Sequence, residues 1–261
     1  MNPLVGIIQF PGSNCEYETE KAARFYGLNT RILRWNESVE TLSHVDAYIL
    51  PGGFSYQDRV RAGALAAKLP LFDIIQASNE KGKPILGICN GCQILAETGL
   101  LNPVSNTPNL EVALGPNQTQ DSLCGFICDW VYVKPMRPKE NKWTCLFEES
   151  DCLPIPINHA EGRFVLSESA QKTYASHTHF VYCDAMGHVC PESNPNGSFA
   201  NLAGLSNPFG NILGMMPHPE RASFIKQIPT WLISPFSDMK RHFSQVNGPW
   251  EKLFLALKAS L

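Results

Sequence analysis

Apolar runs alternate with helical patterns along the first hundred residues of the chain. Ser13 and Glu16 have the spacing of a capping box, and Gly27 is placed to end the helix that they would begin. The predicted helices cover about 15–26, 69–82 and 90–99. The predicted strands are LVGIIQF (4–10), TRILRW (30–35), DAYILP (46–51) and PILGI (84–88). Strands separated by helices of this length indicate βαβ units, so we expect an α/β fold with a central, mostly parallel, twisted sheet flanked by helices.

The rest of the chain has a different pattern. Residues 101–125 are polar and predict an irregular loop insertion, whereas 126–183 are rich in β-branched and alternating apolar positions. Three strands are predicted there: FICDWVYV (126–133), RFVLSE (163–168) and THFVYC (178–183). A C-terminal extension, 223–261, ends in a predicted helix from Pro249 that has one apolar face. No repeat or low-complexity tract divides the chain, so we expect a single domain over 1–261.

Composition narrows the class of protein. With 44% hydrophobic residues in 261, the chain can bury a core without help from disulfides or metals. A net charge of −3 gives no general attraction to nucleic acid or to anionic membranes. The N-terminus resembles a strand rather than a signal peptide, and no run approaches the ~20 apolar residues of a membrane helix. The nine scattered cysteines are typical of reduced thiols. We therefore expect a soluble cytoplasmic protein.

The segment LGICNGCQIL (86–95) contains the first candidate for chemistry. Cys89 lies between Gly87 and Gly91, where a strand is predicted to turn sharply into a helix, and such a turn requires small residues on both sides. The helix N-terminus would favour a thiolate, and the Asn90 N–H could donate to an oxyanion. Gly53, after a neighbouring strand, could supply a second N–H. The alternative is an ordinary turn in which Cys89 is a small buried side chain.

Cys92, three residues after Cys89, leaves two other interpretations open. A redox pair would require a smaller thioredoxin-like domain, and in the predicted helix Cys92 faces inward among apolar residues. Zinc would require a second pair of cysteines, for which Cys124 and Cys128 are poor candidates. We therefore interpret Cys92 as a packing residue.

A nucleophilic thiol needs a base, and the base needs a group that orients it. In GMMPHPER (214–221), Pro219 favours an extended segment, which would place Glu220 on the same side as the His218 ring. The usual alternative for a single histidine is a satisfied core residue. His159, Glu161 and Arg163 make a polar turn with a binding or solvated role. The histidines and cysteines of 176–190 resemble a metal cluster on a hairpin that turns at 184–187, but no open-site pattern accompanies them, and no metal is expected.

Several of these motifs occur together in one known family. GICNGCQIL (87–95) with MMPHPER (215–221) resembles the class I, or triad, glutamine amidotransferases, whose pattern joins G-x-C-x-G-x-Q to a distant H-P-E. Four further stretches narrow the resemblance to the glutaminase subunits of phosphoribosylformylglycinamidine synthase, the PurQ family. They are FPGSNCE (10–16), PGGFSYQDRVRAGA (51–64), HAEGRF (159–164) and NPNGS (194–198). Together the motifs span residues 10 to 221.

The resemblance implies a function and a set of roles. Cys89 would attack the carboxamide of glutamine, while His218, oriented by Glu220, would protonate the leaving ammonia and then activate water. The residues expected to hold the substrate are Gly52, Gln93, Asn196, Gly197, Ser198 and Phe199. The ammonia would pass to an ATP- and Mg²⁺-dependent synthetase subunit that makes the amidine of formylglycinamide ribonucleotide in purine synthesis, with a small bridging subunit as a further partner. No ATP-binding motif occurs in the chain, so no cofactor is expected here.

The chain departs from the family pattern at three positions. Gln57 and Ala160 replace glycines, and Cys92 replaces a bulky apolar residue. Because the first two lie in loops that could face the partner, along with His159, Glu161 and Arg163, they bear on partner geometry more than on hydrolysis. Two alternatives remain: an amidotransferase that serves a different synthetase, and a catalytically quiet interaction subunit. The intact Cys89, His218 and Glu220 argue against the second.

Overall fold

The computed structural model describes residues 3–103, 109–118, 122, 124–242 and 246–261. Eleven strands and seven α-helices lie in these ranges. The strands are β1 (Leu4–Gln9), β2 (Asn29–Arg34), β3 (Ala47–Leu50), β4 (Ile85–Ile88), β5 (Val112–Gly115), β6 (Ile127–Pro135), β7 (Leu153–His159), β8 (Arg163–Leu166), β9 (Thr178–Cys183), β10 (Leu202–Ser206) and β11 (Ile212–Met215). The helices are α1 (Glu16–Phe25), α2 (Val39–Ser43), α3 (Leu71–Glu80), α4 (Asn90–Glu97), α5 (Glu168–Thr173), α6 (Pro235–Arg241) and α7 (Glu251–Ser260).

Nine of the strands form one sheet in the order β2-β1-β3-β4-β11-β10-β9-β6-β7. The pairings from β2 to β11 are parallel, and those from β11 to β7 are antiparallel. Every residue of β3, β4 and β11 is buried, as expected for parallel strands covered on both faces. The predicted α/β class with a parallel core is confirmed, and an antiparallel half extends the sheet beyond it.

Two strands form through pairing with distant segments, which the local sequence pattern does not reveal. β7 was not predicted, because Pro154 and Pro156 interrupt its apolar run. It lies at the edge of the sheet, where residues without an N–H are tolerated. β5 lies inside the segment predicted to be an irregular loop, and it pairs with β8 as a separate two-stranded sheet. The remainder of that prediction falls partly on 104–108, 119–121 and 123, which lie outside the described residues.

Two local predictions are corrected by the structure, and a third is confirmed. Ser13 does not cap α1, because its Oγ accepts from the Phe10 N–H at 3.0 Å, and Glu16 instead accepts from Gln9 at 2.8 Å. The turn at 184–187 forms, with an Asp184 N–H to His188 O bond of 2.9 Å, but the described residues that follow it add no second strand. The predicted stop at Gly27 is confirmed by its φ of 83°.

The C-terminal helix α7 is part of the core. Trp250, Leu253, Phe254 and Leu257 are fully buried, and the indole of Trp250 donates to the Pro154 carbonyl of β7 at 3.1 Å. The apolar stripe predicted from Pro249 therefore packs as expected. Within the described ranges, no helix has both the length and the apolar character that crossing a membrane requires.

Candidate active site

Cys89 forms the turn between β4 and α4. The strand ends at Ile88 and the helix begins at Asn90, so Cys89 alone reverses the chain direction, with φ 50° and ψ −106°. A side chain disfavours this left-handed conformation, and residues held in it are concentrated at functional sites. The Cys89 N–H donates to the Met215 carbonyl at the end of β11, at 2.8 Å. The thiol is thus fixed at the carboxyl edge of the parallel strands and at the N-terminus of α4.

The two glycines that flank Cys89 have no room for a side chain. A Cβ on Gly91 would lie 1.9 Å from the carbonyl oxygen of Leu50, and a Cβ on Gly87 would lie 2.6 Å from the carbonyl oxygen of Gly91. Since both contacts are with backbone, no side-chain rearrangement relieves them. The G-x-C-x-G spacing is therefore imposed by the close approach of α4 to β3 and β4.

His218 and Glu220 form a buried pair. The Nδ1 atom of His218 lies 2.6 Å from Oε1 of Glu220, and the two side chains are 2% and 0% exposed. Burial lowers the pKa of His218, but the Glu220 carboxylate and the nearby Cys89 and Cys15 thiols outweigh it and raise that pKa well above its usual range. Because Nδ1 is committed to Glu220, the ring presents Nε2, which has no hydrogen-bond partner among the described residues.

The local structure of this pair differs from the sequence-based expectation. Residues 219–221 form one 3₁₀ turn rather than an extended segment, because a proline φ also suits the first position of a helical turn. The His218 N–H donates to the Pro156 carbonyl of β7 at 2.9 Å, which fixes the start of the turn. The turn brings Glu220 back to the imidazole, so the expected contact forms by a different route.

Cys15 is a second thiol at the site, and sequence reasoning gave it no role. Its Sγ, a nitrogen of His218 and a carboxylate oxygen of Glu220 all lie within 4.8 Å of one another. Arg221 donates to this Sγ at 3.2 Å and also pairs with Glu18 at 2.9 Å. Burial raises the pKa of Cys15, while the neighbouring His218 acts to lower it. The signal was present, since Cys15 belongs to the quoted FPGSNCE stretch.

Beside Cys89 is a cavity of about 60 Å³. Its walls come from the loop after β3, the start of α4, and the end of β7 with the turn that follows it. The apolar rings of Phe54 and Phe126 and the polar groups of Asp58, Gln93 and Glu161 line it.

A chain of hydrogen bonds joins the walls of the cavity. Asn90 accepts from the Ser55 N–H at 3.1 Å and donates both to Gln93 at 3.0 Å and to Asp58 at 3.2 Å. Gln93 in turn donates to the Glu161 carbonyl at 2.6 Å. Burial and the neighbouring Glu161 carboxylate raise the pKa of Asp58 to about 6, against the effect of the Asn90 bond. Asp58 was not among the predicted site residues, although the quoted PGGFSYQDRV stretch includes it.

Gly52 and Gly53 lie against the same site. A Cβ on Gly52 would be 2.7 Å from Cε1 of His218 and 3.1 Å from Sγ of Cys15, so the imidazole packs directly on this backbone. Gly53 has a φ of 147° and forms a bridge with Ser13. The Phe54 and Asn14 N–H groups make the hydrogen bonds of this bridge, at 2.9 and 3.5 Å. The bridge therefore does not use the Gly53 N–H.

The polar turn after β7 was considered as a partner-facing segment, but the structure places the His159 ring in the interior. His159 is 3% exposed and its ring packs against Gly162, where a Cβ would lie 2.0 Å from Cε1. Burial and the nearby His218 lower the pKa of His159 to about 3, so this ring is neutral. Glu161 lines the cavity, and Arg163 is half-buried with its Nε donating to the Pro116 carbonyl. His159 is thus part of the interior of the site and not of an outer surface.

The segment 196–199 does not line the cavity. Asn196 is fully buried, and its carbonyl accepts from the Gln118 N–H at 3.0 Å. Ser198 accepts from the Phe164 N–H at 3.1 Å, beside the start of β8. Gly197 has a φ of 73° and Phe199 packs edge-on against Tyr174. These residues support the turn that carries Glu161, so their expected contact with substrate would require the cavity to open toward them.

Cys92 and the histidines of 176–190 do not gather into a second centre. Cys92 is fully buried against Gly214 of β11, and burial, with a smaller effect of Cys89, raises its pKa well above the ordinary value. Among the described residues, one group of three potential metal ligands comes together, and it is Cys15, His218 and Glu220 at the site already described. His179 is buried and contacts Thr144 at 3.5 Å.

Comparison with known proteins places this geometry in a family. The model of the CobB/CobQ-like glutamine amidotransferase domain matches residues 2–259. The chain is 42% identical over 233 residues to "Phosphoribosylformylglycinamidine synthase subunit PurQ" of Methanothrix thermoacetophila, covering 86% of this chain and 88% of that one. The subunit PurQ of Pyrococcus furiosus is 42% identical over 217 residues, covering 83% and 88%.

A solved structure agrees with the sequence relatives. The chain resembles a chain of the structure of PurLQS from Thermotoga maritima with a TM-score of 0.75 and 29% identity, covering 100% of this chain and 99% of the other. The glutaminase domain of Trypanosoma brucei CTPS, at 12% identity and a TM-score of 0.58, shares the fold. The cysteine turn, the buried histidine–glutamate pair and these matches lead to one conclusion: the chain belongs to the PurQ family of glutamine amidotransferases, the glutaminase subunits of phosphoribosylformylglycinamidine synthase.

Proposed function

We propose that this chain releases ammonia from glutamine at Cys89 and delivers it to an ATP-dependent synthetase subunit that forms formylglycinamidine ribonucleotide. A catalytic triad of Cys89, His218 and Glu220 carries the hydrolysis. The observation that supports it most directly is the buried contact of 2.6 Å between His218 and Glu220 at the edge of the sheet where the strained Cys89 turn lies.

The thiolate of Cys89 attacks the carboxamide carbon of glutamine. The C–N bond breaks as the leaving nitrogen takes a proton from the His218 imidazolium, which gives a γ-glutamyl thioester and ammonia. Water then loses a proton to His218 and attacks the thioester, so that the C–S bond breaks, glutamate leaves and the thiolate is restored. The raised pKa of His218 suits this use, because the ring is charged when the leaving group needs a proton.

Backbone N–H groups stabilise the oxyanion of both steps. Asn90 is the first residue of α4, so its N–H has no partner within its own helix and points along the helix dipole toward Cys89. The Gly53 N–H, which its bridge leaves unused, is the second donor. Because one donor lies on α4 and the other on the loop after β3, the oxyanion site is sensitive to the distance between these two segments.

The substrate occupies an enlarged form of the cavity beside Cys89. Gln93 lines this cavity, and Gly52 packs against His218. Asn196, Gly197, Ser198 and Phe199 hold the amino acid end of glutamine once the turn at Glu161 moves outward. The cavity is small, about 60 Å³, which supports a site that widens when glutamine binds. The isolated subunit therefore hydrolyses glutamine slowly, and docking of the synthetase opens the cavity.

The partners of the reaction follow from the relatives. The structure titled PurLQS names an assembly of three proteins, and we assign this chain the PurQ place beside a large synthetase and a small third subunit. ATP and Mg²⁺ would be used by the synthetase and not by this chain. All nine cysteines are free thiols, which supports a cytoplasmic location.

The test replaces the nucleophile in the reconstituted complex. Cys89→Ala should abolish glutamine-dependent formation of the amidine and leave the ammonium-dependent reaction near the wild-type rate, because only the source of ammonia is lost. Cys92→Ala is the matched control, three residues along the same helix, and should retain glutamine-dependent activity once its folding has been confirmed by thermal melting.

Three results would contradict parts of the proposal. Loss of the ammonium-dependent reaction in Cys89→Ala would mean that this thiol also serves the synthetase or the assembly. Full glutamine-dependent activity in the same variant would exclude Cys89 as the nucleophile. Amidine formation that never depends on this chain, with ammonia transfer to another synthetase, would reassign the partner while leaving the hydrolysis intact.

A further inference from the structure

A pair of cysteines, Cys152 and Cys183, lies at the end of β7 that is remote from Cys89. Cys152 immediately precedes this strand, and Cys183 is the last residue of β9. Their Sγ atoms are 4.0 Å apart, although the residues are separated by 31 positions in the chain. Six residues of extended strand, about 20 Å, separate Cys152 from the end of β7 that borders Cys89. The two thiols therefore form a centre of their own.

The two thiols differ in their access to solvent. Cys152 is half-buried and lines an open cleft of about 400 Å³, whose walls include Tyr132, Met186 and Phe236. Cys183 is 3% exposed and lies behind it. A small reagent that enters the cleft therefore meets the sulfur of Cys152 before that of Cys183.

The two thiols also differ in acidity. The hydrogen bond from Cys183 lowers the pKa of Cys152, although burial and Asp184 act in the opposite direction. The same bond, together with burial, raises the pKa of Cys183. When Cys152 is protonated, its thiol donates to the Asp184 carbonyl at 3.5 Å. This difference suits an attacking thiol and a resolving thiol, since the thiolate is the reactive form.

We propose that Cys152 and Cys183 are a reversible disulfide site that reacts with low-molecular-weight disulfides of the glutathione class. The Cys152 thiolate attacks the reagent disulfide, forming a mixed disulfide and releasing one thiolate. Cys183 then gives up its proton and attacks the Cys152 sulfur, which forms the protein disulfide and releases the second thiolate. The protein loses two electrons, and the reagent disulfide is reduced to two thiols.

Forming the disulfide requires the two sulfurs to move closer together, and the bond would link two strands of the sheet. A disulfide has an S–S distance of about 2.05 Å, so the sulfurs must approach by roughly 2 Å. Cys152 can move because it lies in the loop before β7, whereas Cys183 is held in β9. The link joins the start of the edge strand β7 to β9, across β6. Because β7 contains two prolines, it makes fewer ladder hydrogen bonds at this edge of the sheet. The disulfide would therefore add a covalent attachment there.

Peptide mapping of the complete chain tests this proposal. The protein is treated with oxidised glutathione, alkylated with iodoacetamide and digested. Mass spectrometry should find the Cys152 and Cys183 peptides joined with the loss of two hydrogens, and dithiothreitol should release them. Cys183→Ser should stop at a glutathione adduct on Cys152, and Cys152→Ser should leave Cys183 free to alkylate after unfolding. Cys145→Ser removes another half-buried thiol and should leave the yield of the link unchanged.

Three results would overturn the proposal. One is alkylation of Cys152 in the oxidised wild-type chain, which requires no variant to fold. Another is a disulfide from Cys152 to a cysteine other than Cys183. The third is glutathione on Cys183 in Cys152→Ser. The melting temperature of the oxidised chain should exceed that of the reduced chain by about 3–8 °C, because the link restricts the unfolded chain. A lower melting temperature in the oxidised chain would show that the disulfide does not stabilise the attachment of β7.

Discussion

Nδ1 of His218 and Oε1 of Glu220 lie 2.6 Å apart in a part of the protein where neither side chain is more than 2% exposed. The contact fixes the tautomer of the ring and leaves Nε2 for proton transfer. It also supplies the main charge that raises the pKa of His218 against the effect of burial. Both the orientation and the charge of His218 therefore depend on one carboxylate.

Glu220→Gln keeps the shape of the side chain and removes its charge. We expect kcat for glutamine hydrolysis in the complex to fall by about 100-fold to 10,000-fold, because the imidazolium loses its stabilising partner. The pKa of His218 should fall with it, which NMR titration of the ring would detect.

Glu18→Gln is the matched control for this change. Glu18 is 43% exposed and pairs with Arg221, next to Glu220, so its loss removes a nearby charge without touching the imidazole. Activity within about twofold of wild type is expected, as for other exposed ion pairs. Equal losses in the two variants would show that general electrostatics, and not the Glu220 contact, sustains the reaction.

Gly91→Ala tests the packing of the cysteine turn. The new Cβ would lie 1.9 Å from the Leu50 carbonyl oxygen, so α4 must shift away from β3. We expect the free energy of unfolding to fall by about 3 kcal/mol or more in urea titrations. Gly115→Ala has its nearest contact at 3.4 Å and should change stability by less than about 1 kcal/mol. A Gly91→Ala chain of wild-type stability would mean that the turn is looser than described.

His159 should make stability fall as the pH is lowered. Its pKa is about 3 in the folded chain and about 6.5 when unfolded, so between these values the unfolded chain binds a proton that the folded chain does not. The cost is up to about 1.4 kcal/mol per pH unit for a whole proton. Between pH 6.5 and pH 5, wild type should lose about 1–2 kcal/mol more than His159→Gln in urea unfolding.

If His159→Gln and wild type respond equally to acid, the ring of His159 is protonated in the folded protein and its environment is more polar than described.

Asp58 should change the pH dependence of stability in the direction opposite to that of His159. Its pKa is raised to about 6, so between pH 4 and pH 6 the folded chain keeps a proton that the unfolded chain has released. Stability from this group therefore decreases as the pH rises through that window. Asp58→Asn should gain stability relative to wild type between pH 4 and pH 6. A constant difference between Asp58→Asn and wild type across this window would exclude the raised pKa.

The parallel core of the fold was predictable because its strands are continuous apolar runs. β1, β3 and β4 are buried along most of their length, and such runs appear in the sequence without any knowledge of neighbours. β7 was not predictable in this way, since its two prolines are acceptable only because it lies at an edge. The position of β5 likewise depends on its pairing with β8, about 50 residues further along the chain.

The same distinction between features predictable from sequence and features that depend on tertiary structure applies to the active site. The residue types and spacing of G-x-C-x-G and H-P-E identified Cys89, His218 and Glu220, and the Gly52–Gly53 pair, as residues that come together at one edge of a sheet. His159 was considered partner-facing because its motif is polar, but packing against Gly162 buries the ring. Cys15 and Asp58 lie in motifs that were noticed, yet nothing local distinguishes them from their neighbours.

The sequence by itself determined the strand-to-helix turn at Cys89, because turn geometry restricts the neighbouring residues to glycine, and it determined which side chains could act as base and orienter. The tertiary structure alone decided the protonation of the site and the size of its cavity. Burial and the distances between charges set the pKa values of His218, His159 and Asp58, and these depend on residues up to about 200 positions apart. The two cysteines of LGICNGCQIL, Cys89 and Cys92, differ in environment for the same reason: one lies at a helix start and the other inside the core.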